Sequence, residues 1–314
     1  KWNKLSSLNI IKGYKSLRIN SECKSDIYLG IDTIGNHSLI LSLPNEHGVE
    51  FKAVNKDKIS IELFNDTNYL IMTLKDSDYY DLFDDLIISL FNAIRNIEEV
   101  NEYSKVFIKT FYQWTLFFAL SHYDLLPKDL IKGIWGELIV LKNLIEDSNS
   151  IEVNNILSGW RGLYDQGHDF IYDDMNIEVK TKDVRKLTVR ISSESQLEVE
   201  TGKKLILSVV SVEGDVVNGA SLKDLIKDIK TLIFDNYGDF SIILTSLLQK
   251  GITLNNIHEY DNFRFKPINL QNFDCLNECF PKLVKSGLPS GISNVKYDIN
   301  LLNMSKNLIS MREF

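Results

Sequence analysis

The chain has 314 residues, of which 44% are hydrophobic and 25% are charged, the proportions of an ordinary globular protein with one large or two modest domains. Its formal net charge of −8 excludes a protein coated in basic surface, although an acidic protein can still carry a local basic patch. The cysteines Cys23, Cys275 and Cys279 are too few and too irregularly spaced for a disulfide framework, so we expect reduced thiols and a cytoplasmic protein.

Residues 1–77 predict a β-rich N-terminal domain. Six segments alternate polar and apolar residues or run apolar at strand length, with Asn, Asp, Gly and Pro between them. These segments are KSLRIN, DIYLGID, HSLILSL, GVEFKAV, KISIELF and YLIMTL. We expect several hairpins here, which serve either as a scaffold or as a surface that recognises DNA or a partner.

Residues 78–127 predict a helical bridge. Apolar residues at helical spacing mark its first helix, namely Leu82, Leu86, Leu90, Ile94 and Ile97. The segment VFIKTFYQWTLFFAL marks a second helix that is apolar nearly all round. Because this segment has only about 15 residues and includes Lys109 and Gln113, we expect a buried core helix rather than a membrane span.

Residues 128–239 predict an α/β core that opens with a helix carrying Glu137. Asp129 is a suitable N-cap for this helix. Glycine inside a helix costs about 1 kcal/mol relative to alanine, so Gly133 and Gly136 indicate a close approach to a neighbouring helix or sheet. We expect Trp135 to be buried at that approach.

The segment GHDFIYDDMNIEVKTK predicts two short strands joined by a tight turn at 173–176. Side chains on a strand alternate between faces, so Glu178 and Lys180 point to one side and Val179 points to the other. The turn would bring Asp169, at the start of the first strand, beside Glu178. The adjacent His168 is expected to face the other way and to be structural.

Two carboxylates and a lysine in this arrangement are what a metal-dependent phosphodiesterase needs. A divalent ion offsets the charge that develops on the phosphate, and Mg²⁺ prefers oxygen ligands such as carboxylates or the carbonyl of Val179. A lysine can orient water or neutralise a phosphate oxygen. The acid-x-lysine spacing alone is weak evidence, since 228–230 has it on a predicted amphipathic helix where the side chains diverge. The alternative for 178–180 is a solvated, salt-bridged strand.

Basic residues follow the second strand and are candidates for contacts with the DNA backbone. They are Lys182, Arg185, Lys186 and Arg190. In the loop before the strands, Arg161 beside Trp160 could also contact DNA, or Trp160 could anchor an ordered lid. Such contacts position DNA without reading its sequence.

After these strands, Ser193 and Gln196 fit a capping box at the start of a helix. An apolar strand at 203–212 and a crossover helix at 222–235 follow. The last segment, 240–314, predicts another helix, two strands (FRFKPINL and NVKYDINL) and a polar closing helix. We expect this extension to pack on the core or to form a partner surface.

The order helix-Glu, Asp, Glu-x-Lys, helix, strand resembles the PD-(D/E)XK nuclease superfamily. GIWGELIVL, GWRGLYDQGHDF, IEVKT and ISSESQL resemble a bacterial group of PD-(D/E)XK motif proteins, whose genes tend to lie beside restriction and defence genes. The likeness is strongest over 133–212 and fainter in LPSGISNVKYDINL, and His168 stands where the superfamily name has Pro. It implies a restriction-endonuclease-like α/β (α+β) core, with a mixed sheet flanked by helices and preceded by the β-rich domain.

The resemblance also implies roles for individual residues. Asp169 and Glu178 would be metal ligands, Lys180 the catalytic lysine and Glu137 an accessory ligand, with Gln196 near the site. The expected cofactor is Mg²⁺, with Mn²⁺ able to substitute.

These roles lead to the hypothesis of a Mg²⁺-dependent endodeoxyribonuclease in bacterial restriction or antiviral defence. Its expected partners are DNA and either a second copy of the chain or proteins of a defence complex, with no membrane. The alternative is a DNA-binding or scaffold subunit of such a complex that does not cut DNA, or does so only with its partners.

Overall fold

The computed structural model describes residues 1–6, 12–21, 23–119, 124–161 and 167–314. The chain divides into two units, the first formed by residues 1–122 and 237–241 and the second by residues 123–236 and 242–314. Both units combine β-sheet with helices, so the expected α/β (α+β) class is confirmed. The domain boundaries drawn from the sequence stay predictions.

The first unit is built on a six-stranded antiparallel sheet. Its strands are β1 (Lys15–Arg18), β2 (Asp26–Ile31), β3 (His37–Ser42), β4 (Val54–Asn55), β5 (Ile59–Phe64) and β6 (Tyr69–Leu74). They lie in the order β1-β2-β3-β6-β5-β4. The expectation of a full strand over GVEFKAV is wrong, because only its last residue, Val54, enters the two-residue strand β4 at the edge of the sheet.

Among the described residues of this unit, three α-helices accompany the sheet: α1 (Trp2–Ser6), α2 (Tyr80–Ile94) and α3 (Val100–Thr115). The periodic leucines predicted for the first bridge helix are buried on α2. The second bridge helix, α3, is amphipathic rather than apolar all round, since Phe107 and Phe111 are buried whereas Tyr112 is 49% exposed. Within the described ranges, no helix has both the length and the apolar character needed to cross a membrane.

The second unit contains a mixed sheet and a separate strand pair. The α-helices of its described residues are α4 (Lys128–Glu146), α5 (Val153–Gly159), α6 (Leu222–Asp235) and α7 (Ser241–Gln249), of which only the first residue of α7 belongs to the first unit. The strands of the second unit are β7 (Phe170–Ile171), β8 (Met175–Asp183), β9 (Thr188–Ile191), β10 (Lys204–Gly214), β11 (Phe265–Asp274), β12 (Tyr297–Asn300) and β13 (Leu308–Glu313). The order is β13-β11-β10-β8-β7, with β8 and β10 parallel and the other neighbours antiparallel, and β9 pairs with β12.

Helix α4 packs closely on one face of this sheet at Gly136. A Cβ atom at Gly136 would lie only 1.8 Å from Oγ1 of Thr181 on β8, which confirms the predicted close approach. Gly133 has nothing within 4 Å of such a Cβ, so the same expectation is wrong there. Trp135 is buried as expected, at 1% exposure. On the opposite face, β10 packs against β9 and β12 in an apolar core.

Several local expectations are corrected. Helix α4 has Pro127 rather than Asp129 at its N-cap, because Pro127 already holds the extended backbone that precedes a helix, and no side chain caps it. The segment around Gln196 is a turn instead of a helix. The expected closing helix is the strand β13, which pairs with β11. Helix α6 and the strands β11 and β12 are confirmed. However, α6 follows β10, whose antiparallel neighbour β11 comes next in the sheet, and it packs against α4, so its expected role as a crossover covering the sheet is wrong.

Candidate active site

A hairpin of β7 and β8 carries the predicted acidic residues. The backbone N–H of Tyr172 donates to the carbonyl of Met175 at 2.8 Å and closes the turn, as the sequence predicts. Strand β7 has only two residues, and they pair with Asn176 and Ile177 of β8. From Glu178 onward, therefore, no described strand pairs with this side of β8. The hairpin therefore leaves one edge of β8 open in the sense that no described strand is hydrogen-bonded to it, although the acids beside this edge are buried.

Asp169 lies at this open edge, directly before β7. Extending the register by one residue places it opposite Glu178. Its Oδ2 atom accepts a hydrogen bond of 2.7 Å from the backbone N–H of Val179. In a strand, the N–H and C=O of one residue point toward the same edge, so the Val179 carbonyl also faces this side.

Glu178 and Lys180 share a face of β8, as their alternation predicts. The Nζ atom of Lys180 lies 2.6 Å from Oε1 of Glu178, and the Glu178 side chain is 2% exposed. His168 also approaches this carboxylate, with its Nδ1 atom 3.9 Å from Oε2. The expectation that His168 faces away is wrong, because it lies in a bend before β7, where strand alternation does not apply.

Glu137 reaches the same region from α4. Its Oε2 atom accepts a hydrogen bond of 2.9 Å from Nε1 of Trp160. Trp160 is 2% exposed and forms a β-bridge with Phe170, so it links α4 to the hairpin. Of the loop that contains Trp160 and Arg161, residues 162–166 lie outside the described residues. We refer to Glu137, Asp169 and Glu178 together as the acidic cluster.

The carboxyl groups of the acidic cluster lie close together and are shielded from solvent. Burial raises the pKa of Glu137 to about 7, and the charge of Glu178 acts in the same direction, while Trp160, Lys250 and Lys180 oppose the shift. Burial also raises the pKa of Asp169 well above its usual range, and both other acids add to the effect. Positive charge placed between these carboxylates would therefore be strongly attracted.

The donor atoms suit a hard divalent cation. Glu137 and Asp169 use one oxygen each in the hydrogen bonds above, which leaves Oε1 and Oδ1 for other ligands. Carboxylate oxygens, together with a backbone carbonyl, are the ligands Mg²⁺ takes. In the described part of the chain, however, no three His, Cys, Asp or Glu side chains are already arranged to hold a metal ion.

The predicted DNA contacts do not form one free basic patch. Lys182 is 9% exposed, and burial lowers its pKa. Arg185 and Lys186 are exposed on the turn after β8. Arg190 is exposed on β9, where its guanidinium lies 3.7 Å from Asp298. Arg161 is also exposed, and its backbone N–H donates to the carbonyl of Asp169 at 2.6 Å.

Gln196 is engaged locally. Its Oε1 atom accepts a hydrogen bond of 2.7 Å from the backbone N–H of Ser192. Within the described residues, no hydrogen bond joins Gln196 to the acidic cluster. Its predicted place near the site rests on the resemblance alone.

Three residues that act on the acidic cluster carry no such role in the sequence-based prediction. Trp160 donates to Glu137, His168 approaches Glu178, and the charge of Lys250 lowers the pKa of Glu137. The first two lie within the loop motif GWRGLYDQGHDF, which gave a local signal. Lys250 follows α7, far along the chain, and carries no local pattern.

The mixed sheet flanked by helices, with an acid-x-lysine strand beside a second acid, is the restriction-endonuclease-like arrangement of the PD-(D/E)XK superfamily. A family model described as "Putative PD-(D/E)XK family member, (DUF4420)" matches residues 1–302. The chain belongs to this family, which confirms the resemblance read from the sequence. No curated protein and no solved structure matches the chain.

Proposed function

We propose that this protein is a metal-dependent deoxyribonuclease that hydrolyses DNA phosphodiester bonds in bacterial restriction or antiviral defence. The observation that carries the proposal is the meeting of Asp169, Glu178 and Lys180 at the open edge of β8. Membership in a nuclease-like family supports the same reaction class.

In this proposal Asp169 and Glu178 hold Mg²⁺, or Mn²⁺ in its place, with help from Glu137 and the Val179 carbonyl. An ion held by these residues would offset charge on the scissile phosphate and would make water nucleophilic near neutral pH. Lys180, already 2.6 Å from Glu178, orients that water or neutralises a phosphate oxygen. Trp160 fixes the Glu137 carboxylate by its hydrogen bond.

Exposed basic side chains would position the DNA backbone. Arg185 and Lys186 lie directly after β8 and are exposed to solvent. Arg190 and Arg161 are exposed as well, whereas Lys182 would first have to leave its buried position. A cut through both DNA strands requires two active sites or two successive nicks, so a second copy of the chain or a partner protein is part of the proposal.

The test is DNA cleavage by the purified full chain with Mg²⁺, with Mn²⁺ and with EDTA. Supercoiled plasmid, single-stranded DNA and methylated DNA serve as substrates. We expect metal-dependent cleavage that falls about 100-fold or more in Lys180→Ala, because the ammonium acts on the reacting groups. Lys230→Ala is the matched control, because Lys230 has the same acid-x-lysine spacing but lies on α6.

Two outcomes would count against the proposal. Cleavage by Lys180→Ala at the wild-type rate would remove the assigned role of the lysine. Metal-independent DNA binding without cleavage by the wild-type chain, alone and with candidate defence proteins, would favour the alternative of a non-cleaving subunit.

A further inference from the structure

A cavity of about 270 Å³ lies between the C-terminal half of α4 and the five-stranded sheet. Its apolar lining includes Val140, Ile177, Ile206 and Leu270. Because Ile177 and Glu178 are adjacent on β8, their side chains point to opposite faces. The cavity is therefore separate from the face that carries Glu178 and Lys180.

A row of polar side chains crosses the sheet along this cavity. Ser208, Asn272 and Ser310 occupy matching positions on β10, β11 and β13. Oγ of Ser208 donates to Oδ1 of Asn272 at 2.7 Å, and Nδ2 of Asn272 lies 3.0 Å from Oγ of Ser310. The amide of Asn272 and the hydroxyl of Ser310 each retain donor capacity toward the cavity.

Asn143 adds an unsatisfied acceptor from α4. It lines the cavity and is only 5% exposed. Its Nδ2 atom donates to the carbonyl of Ile139 at 2.7 Å, but its Oδ1 atom accepts no hydrogen bond from the described residues. A buried polar atom left in this state costs about 1–3 kcal/mol, so a donor supplied by a bound molecule would be favourable.

The charges at the rim of the cavity and its volume limit the class of ligand that it can bind. At the rim, the guanidinium of Arg312 pairs with Glu146 at 3.1 Å and with Asp147 at 3.5 Å, so two carboxylates face one cation and an anionic ligand is disfavoured. An apolar cavity of roughly 150 Å³ holds benzene. The larger volume here suits a substituted bicyclic ring.

We propose that this cavity binds a small uncharged heterocycle of the nucleobase or nucleoside class. The ligand donates a hydrogen bond to Oδ1 of Asn143 and accepts one from Asn272 or Ser310, while its ring lies on the apolar lining. A free base or nucleoside fits better than a base within a strand, because strand phosphates would approach the carboxylates of Glu146 and Asp147.

The test is calorimetric titration of the full chain, without DNA, with adenosine, guanosine, cytidine and thymidine. Each nucleoside is compared with its free base, with its 5′-monophosphate and with a short single-stranded oligonucleotide. We expect at least one nucleoside to bind, about 10-fold or more tighter than its monophosphate or the oligonucleotide. Asn143→Leu should lose this binding about 10-fold or more and unfold at no lower temperature than the wild type, because it removes an unpaired buried acceptor.

Asn155→Leu is the matched control, because Asn155 is exposed on α5, and it should bind like the wild type. If Asn143→Leu does not fold, Ser310→Ala at the exposed end of the polar row gives the same comparison, and it too should weaken binding. The inference would be overturned by no binding of any nucleoside or free base, by tighter binding of the monophosphate or oligonucleotide, or by unchanged binding in the folded variant. Because binding is measured without cleavage, failure here leaves the proposed nuclease activity standing, and the reverse also holds.

Discussion

Replacing Glu137 by Gln tests the electrostatics of the acidic cluster. Burial and the charge of Glu178 raise the pKa of Glu137 from 4.5 to about 7. The folded protein therefore binds this proton more tightly than the unfolded chain does. The resulting contribution to stability is fully present below about pH 4.5 and is lost as the pH rises through about 7. At roughly 1.4 kcal/mol per pKa unit, the loss is about 3 kcal/mol.

The Gln side chain keeps the size of Glu137 and an oxygen acceptor for Nε1 of Trp160, but it cannot ionise. Urea unfolding in EDTA should therefore give free energies within about 1 kcal/mol of each other for wild type and Glu137→Gln near pH 5. Near pH 8.5 the variant should be more stable by about 3 kcal/mol. Glu278→Gln is the control, because Glu278 is an exposed glutamate of the same unit, and it should show no comparable change with pH.

A free-energy difference between wild type and Glu137→Gln that is the same at both pH values would contradict the raised pKa of Glu137. A variant less stable than the wild type near pH 8.5 would contradict it as well. Either result would mean that Glu137 is solvated or already neutralised in the folded state.

Two further predictions concern the packing that holds the acidic cluster. Gly136→Ala should destabilise the second unit by about 1–3 kcal/mol in urea unfolding, because the new Cβ atom would meet Thr181. Gly133→Ala places its Cβ atom in open space and should stabilise α4 by up to about 1 kcal/mol. Equal effects of the two changes would contradict the close approach. Trp160→Phe removes the hydrogen bond that lowers the pKa of Glu137, so an NMR pH titration of that carboxyl should give a higher pKa than in wild type, and an unchanged value would exclude the bond.

The parts of the site that local rules govern were predictable from the sequence. Alternation on a strand placed Glu178 and Lys180 on one face, and the turn before Met175 brought Asp169 beside them. The glycine at position 136 indicated a close approach that the structure has at Thr181. Each of these depends on residues near one another in the chain.

Other features depend on contacts that the local sequence does not encode. The side chain of Gln196 accepts from the backbone N–H of Ser192 rather than from that of Ser193, so the predicted capping box does not form and no helix follows. Strand β13 forms because β11 supplies its hydrogen bonds, not because its own residues favour an extended backbone over a helix. Lys250 reaches the acidic cluster only through the fold of the second unit.

The most direct test of the central claim compares an aspartate beside the acid-x-lysine sequence of β8 with the aspartate of the acid-x-lysine sequence on α6. Asp169 accepts a hydrogen bond from the backbone of β8, whereas Asp228 lies on α6 and forms an ion pair with Lys142. The measurement is nicking and linearisation of supercoiled plasmid in Mg²⁺ by Asp169→Asn and Asp228→Asn. The account predicts that Asp169→Asn stops cleavage while Asp228→Asn cuts like the wild type. Cleavage by Asp169→Asn at the wild-type rate would contradict it.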